Sequence, residues 1–60
     1  MKLTVYFYDR KGMSLQSPEI LTGDNPLGLY AKANEMRDVL IVQRGGQVFL
    51  QCVEDSNAAE

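Results

Sequence analysis

Histidine and tryptophan are absent from this chain of 60 residues, cysteine occurs once and proline twice. Without histidine and with a single thiol, the usual zinc ligand sets, any Ser/His or Cys/His catalytic pair and any internal disulfide are excluded. No apolar run approaches the roughly 18 residues of a membrane-spanning helix. The N-terminal segment carries one lysine and then a strand-like alternation, which does not resemble a secretory leader. A lone unpaired cysteine suits a reducing compartment, so a cytoplasmic location is expected. Hydrophobic residues make up 45% and charged residues 23%, the ordinary balance of a globular chain and not that of a disordered one. A chain this short forms one domain and buries only about 60% of the surface its unfolded form exposes.

Strong charge of either sign is also lacking, although what charge there is divides unevenly. Residues 1–53 hold six basic side chains (Lys2, Arg10, Lys11, Lys32, Arg37, Arg44) and five acidic ones (Asp9, Glu19, Asp24, Glu35, Asp38). The remaining acids, Glu54, Asp55 and Glu60, lie in residues 54–60, which have no large apolar side chain. The expectation is a single domain over 1–53 and a flexible acidic tail over 54–60. The near-neutral body lacks the positive excess of a nucleic-acid binder.

Three segments carry clear signals. Leu3, Val5 and Phe7 alternate with Thr4, Tyr6 and Tyr8, a period-two pattern rich in β-branched and aromatic residues that predicts a strand. Asp9-Arg10-Lys11-Gly12 follows as a turn, with aspartate suited to its first position and glycine to its last. The return segment, Met13–Leu21, is interrupted by Pro18 and predicts an edge strand. Asp24 or Asn25 then caps a helix that starts at Pro26. Leu29, Ala33, Met36 and Leu40 give it one buried stripe, and it is expected to end near Arg37. Finally, Val39–Val42 and Val48–Leu50 flank Gly45-Gly46, a favoured two-residue hairpin connection. The predicted fold is therefore α+β in the order ββαββ, a four-stranded, mainly antiparallel sheet with one helix on one face. Placing the first strand between the second and third gives the β-α-β crossover its usual hand.

Such a sheet has two apolar faces for one helix. With a two-residue Gly-Gly turn, Val39, Ile41, Gln43, Val48, Leu50 and Cys52 share one face. Leu40, Val42, Arg44, Gln47, Phe49, Gln51 and Val53 share the other. The helix covers the more apolar face, leaving Tyr6, Tyr8, Leu40, Val42 and Phe49 uncovered, with Arg44 beside them. Antiparallel sheets with one wet face normally present polar residues there, and tyrosine is enriched at interfaces. Ordinary strand chemistry is the competing reading, because tyrosine and valine suit any pleated surface.

No catalytic constellation is present. Asp9, Glu19, Asp24, Glu35 and Asp38 fall at turns or on the outer helix face, where water keeps them ionised. Gly45-Gly46 lacks the spacing and the Lys-Ser/Thr of a phosphate loop. Cys52 falls on the core face as a small hydrophobe. No enzyme activity, cofactor or metal is implied. The leading expectation is a non-catalytic protein-binding module, a small inhibitor or adaptor, probing its partner through the uncovered face of Tyr6, Tyr8, Leu40, Val42, Arg44 and Phe49. Its partners are a second copy, forming a homodimer, or a larger protein. One alternative is a dimeric nucleic-acid-binding regulator that stacks bases on Tyr6 and Tyr8 beside Arg44. Another is a dimer that sequesters a small ligand between subunits.

Overall fold

Leu3, Val5 and Phe7 form the centre of the molecule, each essentially without solvent contact. They lie on β1 (Lys2–Tyr8), the middle strand of a three-stranded sheet. A computed structural model describes residues 1–55 of the chain. The remaining elements are β2 (Glu19–Thr22), α1 (Pro26–Arg44) and β3 (Phe49–Asp55), and the sheet order is β2-β1-β3. Both pairings are antiparallel, with Leu3 opposite Leu21 on one side and Val5 opposite Cys52 on the other. Leu29, Ala33 and Val48 close the core, and Met36, Leu40, Ile41, Leu50 and Cys52 pack around it half-buried.

The turn after β1 forms as its residues require. The Gly12 N–H donates to the Asp9 carbonyl at 3.0 Å, and Gly12 takes φ +85°, a conformation costly for residues with a Cβ. The Asp9 carboxylate accepts from the Lys11 and Met13 N–H groups at 2.8 and 2.9 Å. Backbone donation from Met13, ahead of the lysine and arginine charges nearby, holds this carboxyl below its usual range. The return segment pairs only at Ser14, opposite Tyr8. It leaves the sheet around Pro18 and rejoins as β2. The charged N-terminus donates to the Gly23 carbonyl at 3.1 Å, and the Gly23 N–H returns to the Met1 carbonyl at 3.2 Å, which ties down the far end of that edge.

The four-stranded ββαββ expectation is overturned: the fold is ββαβ, and residues 39–44 belong to the helix. Asn25 caps α1 by accepting from the Leu27 N–H at 3.1 Å, with Pro26 in its first turn. After Gly28 in the first turn, no glycine or proline follows until Gly45, which takes φ +70° and donates to the Ile41 carbonyl at 2.8 Å. Gly45-Gly46 is thus a helix stop and not a hairpin turn. Two physical reasons favour the longer helix. Val39, Ile41 and Val42 each cost about 0.5 kcal/mol of helix propensity, but Leu40 and Ile41 gain contact with the core worth a similar amount or more. The absence of a stop signal is the second reason: no glycine or proline lies between Gly28 and Gly45, so nothing local ends the helix at Arg37.

Candidate functional site

The strand alternation that turns Leu3, Val5 and Phe7 toward α1 turns Thr4, Tyr6 and Tyr8 away from it. Register then fixes their neighbours. Phe49 lies opposite Tyr8, Gln51 opposite Tyr6 and Val53 opposite Thr4, while Ile20 flanks Thr4 from β2. Directly opposed residues share a face, so Tyr6, Tyr8, Ile20, Phe49 and Val53 form one uncovered surface. Phe49 is 51% exposed, Ile20 60% and Val53 44%. The two tyrosine rings lie nearly parallel, at 9° with centroids 6.4 Å apart. The Tyr8 hydroxyl donates to Gln51 Oε1 at 3.2 Å. At one end of the face Lys2 Nζ sits 3.9 Å from an Asp55 carboxylate oxygen. The Asp9–Gly12 turn closes the other end.

Of the six residues expected to form the contact surface, Tyr6, Tyr8 and Phe49 come together. Leu40, Val42 and Arg44 do not join them, because they ride on α1. Leu40 packs against the core and lines a shallow groove of about 260 Å³ with Gln16, Met36, Val39 and Gln43. Val42 is 82% exposed on the helix surface. Arg44 occupies the last helical turn, where a cation complements the helix dipole. Ile20 was missed because Pro18 made its segment read as a weak strand. The alternation of Ile20 and Thr22 about Leu21 was the available signal. Glu54 and Asp55, expected in the tail, are the last residues of β3, and the rest of that expected tail lies outside the described residues.

The face is largely apolar, with Thr4 and Gln51 among its residues, and is bordered by one weakly paired charge couple. Among the described residues, no three histidine, cysteine or acidic side chains gather as a metal site. No helix among them is long and apolar enough to cross a membrane. The two perturbed groups on the other side of the sheet tie its layers together. Tyr30 of α1 donates its hydroxyl to the Glu54 carboxylate of β3. That bond, with some burial, pushes the phenol up to about 12. Cys52 is half-buried against the core, and burial pushes its thiol up, the opposite of what a reactive thiolate needs. No family model, curated protein or solved structure matches the chain.

Proposed function

We propose that this chain is a non-catalytic protein-binding module, a small inhibitor or adaptor, whose open sheet face of Tyr6, Tyr8, Ile20, Phe49 and Val53 docks on a larger protein. The observation that carries the reading is the placement of these five apolar or aromatic side chains side by side on the face that the single helix leaves uncovered. Large side chains present about 150–250 Å² each. At the observed exposures the face offers roughly 300–400 Å² of apolar surface, the size of the largest patch on a typical monomer and often functional there. Its composition, aromatic at the centre with one lysine and one aspartate at the border, matches the anatomy of a protein interface. The unpaired Cys52 thiol fits a reducing compartment such as the cytoplasm.

A photo-reactive phenylalanine analogue at Tyr6, compared with the same probe at Arg37 on α1, tests this in cells. The expected result is a discrete protein adduct from position 6 only. Equal adducts from both positions would remove the proposal, and an adduct to nucleic acid would favour base stacking on the two tyrosines instead.

A further inference from the structure

We infer that two copies of this chain join through the outer edge of β3, in antiparallel register about Gln51, to make one continuous six-stranded sheet. The inference rests on the docking reading only in that it supplies the area this reading needs.

Sheet order leaves two outer edges among the described residues, β2 and β3. They are not equivalent. β2 has four residues, follows Pro18 and begins at Glu19, and short length, proline and charge are the devices that blunt an edge. β3 has seven residues, Phe-Leu-Gln-Cys-Val-Glu-Asp, and its first five contain none of those devices. Among the described residues, no strand pairs with the outer side of β3, which leaves an edge suited to strand addition.

The occupant is indicated by the strand's own sequence. Phe49-Leu50-Gln51-Cys52-Val53 reads apolar-apolar-Gln-apolar-apolar, so it is complementary to itself when reversed. In antiparallel pairing about Gln51, Phe49 lies opposite the partner's Val53 on the open face. Leu50 lies opposite the partner's Cys52 on the helix face, and the two Gln51 residues meet at the axis. No like charges are opposed, and aromatic–β-branched pairs are among the favourable cross-strand combinations.

Charge is compatible with the same arrangement. The start of β3 lies beside the Asp9–Gly12 turn, because Phe49 pairs with Tyr8. That turn carries Asp9, Arg10 and Lys11. At the other end of β3, Glu54 and Asp55 are offset by Lys2 and the N-terminal ammonium. A reversed second copy therefore sets no like net charges together.

Edge pairing leaves both open faces uncovered. One open face offers roughly half of the ~800 Å² that each partner contributes to a standard interface. Joining two sheets edge to edge makes the two faces one and doubles the patch.

The test is the solution mass of the intact protein together with thiol cross-linking in a Cys52→Ser background. Gln51 is exposed, so Gln51→Cys leaves the core untouched. The expected mass is that of two copies, and it persists in Tyr6→Ser. Mild oxidation of C52S/Q51C gives a disulfide-linked dimer about a hundredfold faster than C52S/I20C on the β2 edge, because paired thiols react at millimolar effective concentration. A monomer at every concentration, equal rates at the two edges, or a wild-type dimer linked through Cys52 would overturn the proposed pairing. Dissociation by Tyr6→Ser would overturn it as well, by showing that copies pack face to face. Failure of the position-6 probe to capture a larger protein would instead strike the docking reading and leave the mass unchanged.

Discussion

Replacing Val42 with alanine should stabilise the protein, although valine is a strong strand former in an apolar run. Val42 is 82% exposed on α1, so truncation forfeits almost no burial. Alanine gains about 0.5 kcal/mol over valine in a helix interior because it loses no side-chain rotamers there. For a domain of this size that corresponds to a rise in Tm of about 2–4 °C. Two positions earlier the sign reverses. Leu40 is half-buried against Met36 and the core. Leu40→Ala therefore costs about 1–2 kcal/mol, somewhat less than a full core truncation, and lowers Tm by about 4–16 °C. Thermal unfolding followed by far-ultraviolet circular dichroism reads both. If residues 39–44 paired in a sheet instead, Val42→Ala would be destabilising by up to about 1 kcal/mol. A fall in Tm for Val42→Ala would refute the helical assignment of that segment.

Three further outcomes follow from particular contacts. Gly45 sits at φ +70°, so Gly45→Ala costs about 1–2 kcal/mol and lowers the urea midpoint, although no atom lies close enough to clash with the added methyl. The Tyr30 phenol, pushed up to about 12 by its bond to Glu54, ionises late. Its contribution to stability is complete below the unfolded value near 10 and is lost as pH rises toward 12. Ultraviolet titration should show that late phenol moving toward 10 in Glu54→Ala. Burial raises the Cys52 thiol, so stability from this group is present below the ordinary thiol range and declines above it. Cys52 should react slowly with a disulfide reagent at pH 8 in native protein and rapidly in urea, and equal rates would contradict its packing.

The two ends of the fold were legible in the sequence and its middle was not. The alternation of Leu3, Val5 and Phe7 with Tyr6 and Tyr8 has a single reading, and it placed the central strand, its buried face and two of the open-face rings. Asp9, Gly12, Asn25 and Pro26 each supply a local device that acts without tertiary help. Phe49 also fell on the correct face, because the parity of the last strand does not depend on what precedes it. Val39-Leu40-Ile41-Val42 was ambiguous. A short apolar run is compatible with strand or helix, and the glycine pair that follows serves equally as a hairpin turn or a helix stop. What decides between them is the packing of Leu40 and Ile41 against the core, a property of the assembled fold. The misplacement of Leu40, Val42 and Arg44 in the contact surface follows from that one ambiguity.

The account turns on one claim, that the sheet face away from α1 is where another protein sits. Hydroxyl-radical footprinting of the protein, first purified and dilute and then inside the cell, addresses it directly. Oxidation of Tyr6, Tyr8 and Phe49 should fall sharply in the cell, while exposed Leu27 and Val42 on α1 oxidise equally in both settings. Unchanged oxidation of the three rings, or protection confined to the helix, would contradict the claim.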